Sequence, residues 1–371
     1  MLRGLFKGAE PVTTHPLFAA PIVPMTRQNA SLALSVLALC TLGLSLSASA
    51  QKSRFTTFDP PGSVETIPNS MNRSGAITGY YFDGNIFHGF LRSPQGTFTT
   101  VDFPGATGTA GASINLAGTI TGYYFDASVP PVFHGFLRSP DGTLTSFDPV
   151  GSVDTEPVSI NTAGEISGIY SDANHVSHAF LRDPDGAMTS FDPQDSSGGT
   201  FATGINPSGE IIGYYNDWDE PPGPQHGFVR SQDGAYTMFD MPACSSCGNV
   251  VSTMPSAINA AGEIIGSFYR DDYATVHAFV RQSDGVITPF NAPGAGASTF
   301  PNSINAAGVI TGNYYGSGEH GFVRDRDGKI TTLDPPRSTY TMPTSINDAG
   351  AITGWFTYSH GGEHGFLRSP G

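Results

Sequence analysis

Short runs of alternating apolar and polar residues, separated by turn residues, recur along the chain from residue 55 to its end. In one unit the four runs cover residues 157–161, 165–170, 178–182 and 187–192. Each run is rich in Ile, Val, Thr, Phe or Tyr and has the length of a short β-strand. The pattern therefore predicts four strands, A to D, in each unit of an all-β fold with almost no helix.

These runs belong to a repeat of about 45 residues, a period typical of architectures whose units must stack to bury their apolar faces. Each copy contains Asn-x-x-Gly, an aromatic pair and a His-Gly/Ala-Phe tripeptide, and most copies end in Asp. We number the repeats one to seven by their asparagines: Asn72, Asn115, Asn161, Asn206, Asn259, Asn305 and Asn347.

Two regular turns connect the strands of each repeat. The A-to-B turn ends in a glycine, as in residues 259–262, because glycine adopts a positive φ without steric cost. The C-to-D turn, as in residues 139–142, has the composition of a tight hairpin. The longer and more variable B-to-C and D-to-A connections are therefore expected together on the opposite face.

The two ends of the repeat region decide between a closed ring and an open stack. Residues 55–59 form a strand D without a unit of their own, and residues 364–371 begin with a strand C that no strand D follows. The first segment therefore completes the last unit. This arrangement predicts a seven-bladed β-propeller with four-stranded blades, and an open β-solenoid is the alternative.

The N-terminal 50 residues have the layout of a signal peptide. Residues 31–46 are mainly apolar, Arg27 precedes them, and residues 48–50 form an A-x-A cleavage site. Met25 is the better translation start, and residues 51–371 would form the mature propeller domain. Export to the periplasm or the extracellular space is expected. A membrane anchor is the alternative, but the segment is short for a span of roughly 20 apolar residues.

The charge balance limits the partners. The formal net charge is −15, and only 13% of the residues are charged. Such a chain would be repelled by nucleic acid or by an anionic lipid surface. A neutral or cationic partner is favoured.

Histidine and arginine recur in strand C, and aspartate recurs at the end of strand D. Because each blade repeats them, we interpret them as a structural network in which His or Arg bonds to Asp, rather than as catalytic groups. Asn291 replaces the Asp in repeat five. Side chains in separate blades cannot converge on one ion, so no metal site or cofactor is expected. The network comprises His88, His134, His178, His226, His277, His320 and His364, with Arg92, Arg138, Arg182, Arg230, Arg281, Arg324 and Arg368.

Two irregular B-to-C loops, in repeats four and five, are the candidate ligand-binding region. They combine aromatic and acidic residues, which suit stacking and hydrogen bonding to a sugar or a cationic peptide. Packing of the tryptophan beneath its own loop and calcium binding by the acids of repeat four are alternatives. The candidates are Asp217, Trp218, Asp219, Glu220, Tyr269, Asp271, Asp272 and Tyr273.

Cys244 and Cys247 lie in the D-to-A connection after Asp240. In an oxidising compartment they are expected to form a small disulfide clip. A redox pair or a metal site is the alternative, although no helix start is predicted here to stabilise a thiolate.

The His-Gly/Ala-Phe core also resembles the HAF-repeat proteins, a family of secreted bacterial proteins, across residues 55 to 371. His178-Ala179-Phe180 and His277-Ala278-Phe279 carry the tripeptide of that family, and the other copies have Gly in the middle. The resemblance implies a propeller-like fold and export, and it transfers no catalytic residue.

Three functions are compatible with this sequence. The first is a secreted propeller that binds a glycan or an extracellular protein through its variable loop face. The second is a carbohydrate-active lyase or glycosidase with a site at the channel mouth, where Asp217 and Glu220 could act as a pair. The third is a self-assembling surface protein. No catalytic constellation is evident in the sequence.

Overall fold

The computed structural model describes residues 54–194, 196–217, 224–242, 249–270, 275–294, 298–316 and 318–370. These residues form β-strands and turns and contain no helix. The expectation of an all-β chain is therefore confirmed. The predicted signal peptide lies outside the described residues.

Twenty-eight strands occur in the described part of the chain, in the predicted order A, B, C, D. The first four repeats follow a single D-type strand: β1 (Phe55–Phe58), β2 (Glu65–Met71), β3 (Ile77–Phe82), β4 (Phe87–Arg92), β5 (Phe98–Val101), β6 (Gly108–Ile114), β7 (Ile120–Phe125), β8 (Phe133–Arg138), β9 (Leu144–Phe147), β10 (Asp154–Ile160), β11 (Ile166–Ser171), β12 (Ser177–Arg182), β13 (Met188–Phe191), β14 (Thr200–Ile205), β15 (Ile211–Asn216), β16 (Gln225–Arg230) and β17 (Tyr236–Phe239). The last three repeats contain β18 (Val250–Ile258), β19 (Ile264–Arg270), β20 (Val276–Arg281), β21 (Ile287–Phe290), β22 (Thr299–Ile304), β23 (Ile310–Tyr315), β24 (Glu319–Arg324), β25 (Ile330–Leu333), β26 (Tyr340–Ile346), β27 (Ile352–Thr357) and β28 (Glu363–Arg368).

Within a repeat, consecutive strands pair in antiparallel fashion, so that strands A to D form a four-stranded meander. Single parallel bridges join repeat four to five at Gln225 and Ser252, and repeat six to seven at Glu319 and Tyr340. Small meanders of this kind, arranged side by side, are the architecture of a β-propeller.

Strand β1 pairs with β28 rather than with a strand of repeat one. The register places Phe55 opposite Arg368 and Phe58 opposite Gly365. Phe58 then packs with Ile77 and Phe90 of repeat one in a buried cluster that Leu367 also contacts. The first strand of the described chain therefore occupies the strand D position beside the last strand C.

Each buried apolar cluster combines residues of one repeat with residues of the repeat before it. Val101 of repeat one, for example, is buried against Ile120 and Phe136 of repeat two. Each repeat thus covers one face of the next, as expected for units that have no separate core.

Six of the seven asparagines that define the repeats donate to the next repeat, and Asn206 donates to the carboxylate of Glu210 in its own repeat. Asn72 donates from Nδ2 to the backbone carbonyl of Asn115 at 3.0 Å, and Asn115 donates in the same way to the carbonyl of Asn161 at 3.2 Å. Equivalent bonds run from Asn161 to Asn206, Asn259 to Asn305, Asn305 to Asn347 and Asn347 to Asn72. We call this set the asparagine ring.

Every strand A contains a register shift near its centre, as between Pro68 and Ser70. Such a bulge turns an additional side chain away from the sheet. Several of these side chains bond to the next repeat: Asn69 donates to the carbonyl of Gly111 at 2.8 Å, and Thr344 donates to that of Pro68 at 2.7 Å. Together the bulges of all seven repeats line a cavity of about 180 Å³ with mainly hydroxyl and amide groups.

Candidate ligand-binding belt

The two positions of the aromatic pair, both of which are aromatic in repeats one, two, four and seven, lie in different environments, because successive side chains of a strand point to opposite faces. The second member stacks on the histidine of the same repeat, as Tyr81 does on His88 at 5.0 Å. The first member differs between repeats and lies one strand from the centre of the fold. In chain order, the first members are Tyr80, Tyr123, Ile169, Tyr214, Ser267, Asn313 and Trp355.

Two glutamates lie near each other where repeat seven adjoins repeat one. Glu363 begins β28 and Glu65 begins β2, and the residues before them are close enough that a Cβ on Gly362 would lie 3.9 Å from the carbonyl oxygen of Val64. Burial raises the pKa of Glu363, and the charge of Glu65 raises it further. Burial likewise raises the pKa of Tyr80, with smaller contributions from these two carboxylates. The three side chains therefore share one partly desolvated environment.

The equivalent junction between repeats six and seven pairs an acid with an aromatic residue. Glu319 lies opposite Tyr340 in the parallel bridge and is 9% exposed. Its Oε1 accepts a hydrogen bond from Nδ2 of Asn313 at 2.8 Å. Burial raises the pKa of Tyr340, and its hydrogen bond to Glu319 adds to the effect because the tyrosine donates its proton to the carboxylate.

Tyr340 and Trp355 form a stacked pair of rings. Their centroids are 4.8 Å apart and their planes are inclined by 14°. Both side chains are partly exposed, and the charge of Glu363 also contributes to raising the pKa of Tyr340. A flat aromatic surface therefore lies between Glu319 and the Glu65–Glu363 pair.

The same band continues through repeats two and three. Burial raises the pKa of Tyr123 to about 12, with contributions from Tyr80 and from Glu156. Glu156 is exposed, but partial desolvation by its neighbours raises its pKa, and the charge of Asp154 adds to this effect. We call this set the acidic–aromatic belt, which comprises Glu65, Tyr80, Tyr123, Glu156, Glu319, Tyr340, Trp355 and Glu363.

The belt was not predicted from the sequence. Its members are spread over repeats six, seven, one, two and three, whereas the predicted loop residues belong to repeats four and five. A sequence signal was nevertheless present, because the first member of the aromatic pair varies between repeats whereas the first and third residues of strand B are Ile and Gly in all seven.

Of the predicted loop residues, the structure describes Asp217 and Tyr269. Asp217 directly follows β15, and its N–H donates to the carbonyl of Pro224 at 3.1 Å. Tyr269 lies in β19, opposite Val276 and Ser252. The other candidates lie outside the described residues: Trp218, Asp219, Glu220, Asp271, Asp272, Tyr273 and the cysteines Cys244 and Cys247.

Each strand C histidine contacts the residue at the end of the paired strand D through Nδ1. The distance is 2.8 Å for His88–Asp102, His134–Asp148, His178–Asp192 and His320–Asp334, 2.9 Å for His226–Asp240 and His364–Asp59, and 3.2 Å for His277–Asn291. Burial opposes protonation of His88, but its bonds to Asp102 and Asp83 outweigh burial and raise its pKa. These side chains are fixed by their pairs and lie in seven separate repeats.

The arginines of strand C make a different contact. Five guanidinium groups lie 4.7–4.9 Å from the ring centroid of a phenylalanine that ends strand D of the preceding repeat. The pairs are Arg92–Phe58, Arg182–Phe147, Arg230–Phe191, Arg281–Phe239 and Arg324–Phe290. The corresponding positions before Arg138 and Arg368 hold Val101 and Leu333. Histidine and arginine therefore have separate contacts, one to a carboxylate and one to a ring.

A second cavity, of about 480 Å³, lies at the opposite end of the inner strands. Four asparagines of the ring line it together with apolar residues such as Met71, Ile114 and Ile160; these asparagines are Asn72, Asn115, Asn161 and Asn347. The Nδ2 groups of these four asparagines already bond to neighbouring repeats. Within the described ranges, no group of three or more His, Cys, Asp or Glu side chains is arranged to hold a metal ion.

No protein-family model and no curated protein matches the chain. Solved structures do match. A virginiamycin B lyase from Staphylococcus aureus has a TM-score of 0.54 at 14% identity, covering 85% of this chain and 99% of that one. The β-propeller domain of the Trilobed protease from Pyrococcus furiosus has a TM-score of 0.57 at 10% identity, covering 82% and 95%. At these identities the likeness shows the β-propeller fold alone. The part of the chain described here also contains no helix that meets the length and hydropathy required to cross a bilayer.

Proposed function

We propose that this protein is a secreted seven-bladed β-propeller that binds a glycan at the acidic–aromatic belt. Each repeat would form one blade, and β1 would complete the blade of repeat seven. The pairing of β1 with β28 and the bond from Asn347 to Asn72 support this closure. The N-terminal signal pattern and the resemblance to HAF-repeat proteins support export.

The stacked pair Tyr340–Trp355 carries the proposal. A sugar ring presents an apolar face that packs on an aromatic surface, and its hydroxyl groups need acceptors around the edge. The carboxylates of Glu319, Glu363 and Glu65 supply those acceptors. A neutral glycan also accommodates the net charge of −15 better than an anionic ligand would.

A glycan array probed with the protein, followed by calorimetry on the best ligand, tests this function. Trp355→Ala should weaken binding about ten-fold, which corresponds to about 1.4 kcal/mol. Tyr214→Ala is the matched control, because Tyr214 occupies the same repeat position in repeat four, away from the belt carboxylates. Absence of any glycan ligand, or equal affinity of both variants and the native protein, would show the proposal to be wrong.

The Glu65–Glu363 pair favours a second candidate, a glycan-cleaving lyase or glycosidase. Burial and the charge of Glu65 raise the pKa of Glu363, and a raised carboxyl pKa is a property of general acids. If this is the function, the protein will shorten the glycan it binds, and Glu363→Gln will bind that glycan without cleaving it. An intact glycan after prolonged incubation with the native protein would exclude it.

A further inference from the structure

The outer part of the fold contains an aromatic stack that the chain builds entirely from its own residues. Tyr124 of repeat two lies between two rings. His134 stacks on one face at 5.2 Å, and Phe103 stacks on the other at 3.9 Å with an interplanar angle of 3°. Phe103 belongs to the D-to-A connection of repeat one, so this stack fills the groove between repeats one and two.

The groove between repeats two and three has the same tyrosine–histidine stack, but no phenylalanine of the described ranges lies on the tyrosine. Tyr170 of repeat three stacks on His178 at 5.1 Å, and its hydroxyl contacts Oγ of Ser190 at 2.8 Å. Pro149 stands where repeat one has Phe103. A groove of about 390 Å³ lies here, lined by Asp148, Pro149, Val150, Tyr170, Gly186, Met188 and Ser190.

Burial distinguishes this groove from its equivalents. Of the seven second members of the aromatic pairs, all of which the structure describes, five are at most 8% exposed: Tyr81, Tyr215, Phe268, Tyr314 and Phe356. Tyr124 and Tyr170 remain partly exposed. Phe103 covers one face of the Tyr124 ring. Among the residues that the structure describes, no such phenylalanine lies over the equivalent face of the Tyr170 ring.

We propose that the groove at Tyr170 binds an aromatic side chain of a partner polypeptide, stacked face to face on Tyr170. The occupant is inferred from Phe103, which shows that a phenyl ring fits this framework in the neighbouring repeat. Pro149, Val150 and Met188 provide apolar walls. The side-chain oxygens of Asp148 and Ser190, which already contact His134 and Tyr170, lie at the edge. The volume lies at the lower end of the range for small-ligand sites, as suits one side chain with its adjoining backbone. This site is separate from the belt and does not depend on the proposed glycan.

A titration with N-acetyl-L-phenylalaninamide, observed through the labelled methyl group of Met188, tests the proposal. A ring stacked on Tyr170 should shift this methyl signal in a saturable way and leave that of Met71, at the asparagine ring, unchanged. Pro149→Phe should abolish the shift, because the protein then fills its own groove as repeat one does. Thr155 occupies the position of Thr109, whose Oγ1 accepts the N–H of Phe103, so the new N–H has an acceptor available.

The converse variant opens a second groove. In a Leu144→Met background, which places a reporter methyl in repeat two at the position of Met188, the probe should have no effect until Phe103→Ala is added. Alanine is a native residue at this position, since Ala292 of repeat five bonds to Thr299 through its N–H at 3.1 Å. An unchanged Met188 signal with the probe, or a shift that survives Pro149→Phe, would overturn the proposal. A shift caused by methyl α-glucoside but not by the phenylalanine probe would assign the groove to sugars instead.

Discussion

Asn347 donates a hydrogen bond from Nδ2 to the backbone carbonyl of Asn72 at 3.3 Å, across 275 positions of sequence. The bond is the same in kind as that from Asn305 to the carbonyl of Asn347 at 3.1 Å, between adjacent repeats. Both asparagines are buried, at 6% and 5% exposure. Repeat seven therefore contacts repeat one through the same type of hydrogen bond that joins repeats six and seven.

Asn347→Ala and Asn305→Ala should destabilise the protein equally. Each substitution leaves a buried carbonyl without its donor and removes the acceptor for the turn N–H groups, a loss of about 2 kcal/mol in the free energy of unfolding. Urea denaturation of the two variants measures this loss. If Asn305→Ala lowers the free energy of unfolding and Asn347→Ala does not, the first and last repeats are not packed together in solution.

Arg182→Lys should cost about 1 kcal/mol more than Arg138→Lys. The guanidinium of Arg182 lies over the ring of Phe147, and an ammonium group loses the planar stacking and part of the cation–π attraction. The ring position before Arg138 is Val101, so the same substitution there removes no ring contact. The comparison is made by chemical denaturation, and equal losses would contradict a stabilising role for the ring.

Glu363→Gln should stabilise the protein at pH 7 by about 0.5 kcal/mol, because it removes a like charge from the side of Glu65. Burial and Glu65 raise the folded-state pKa of Glu363 above 4.5. The proton taken up on folding therefore stabilises the native protein below pH 4.5, and this contribution is lost as the pH rises through the folded-state value. The advantage of the variant should disappear in acid.

Thermal unfolding of Glu363→Gln between pH 4 and pH 8 provides the measurement. Glu319→Gln serves as its control, because Glu319 accepts hydrogen bonds from Asn313 and Tyr340 and has no adjacent carboxylate at its bridge. That variant should give no stabilisation at pH 7. A pH-independent difference for Glu363→Gln would mean that the two acids do not interact.

Gly312→Ala should prevent folding or cost more than about 3 kcal/mol. A Cβ at this position of strand B would overlap the backbone carbonyl oxygen of Phe300 in strand A. Gly204 has an ordinary backbone conformation, and the nearest atom to a new Cβ there is 3.6 Å away. Gly204→Ala should fold normally, and circular dichroism with thermal unfolding distinguishes the two variants.

The sequence predicted features that depend on the strand period and on turn chemistry. The four strands of each repeat follow from alternating residues, and the positive φ of Gly75 and Gly96 follows from the two regular turns. The position of β1 beside β28 follows from the incomplete repeats at the two ends. Strand alternation and turn glycines are local features that recur in seven repeats, so one sequence provides several independent examples of each.

The belt and the outer groove could not be predicted in the same way. Glu65 and Glu363 are nearly 300 residues apart, and nothing in either segment indicates that the two side chains share one environment. Turn chemistry favours a local bond for the asparagine, and Oδ1 of Asn72 does accept the N–H of Ala76 in its own turn, but nothing in the turn indicates that Nδ2 also reaches the next repeat. Contacts between repeats depend on how the sheets stack, and the pattern within one repeat does not contain that information.

The division of the aromatic pair has a consequence for how such proteins diversify. Tyr81 and its equivalents are committed to the histidine stack, whereas the neighbouring position reads Tyr, Tyr, Ile, Tyr, Ser, Asn, Trp around the chain. A mutation at one of these first-member positions leaves the histidine contacts and the asparagine ring intact. Selection could therefore rewrite the recognition surface one repeat at a time, and a designer could treat the seven positions as independent sites for a combinatorial library.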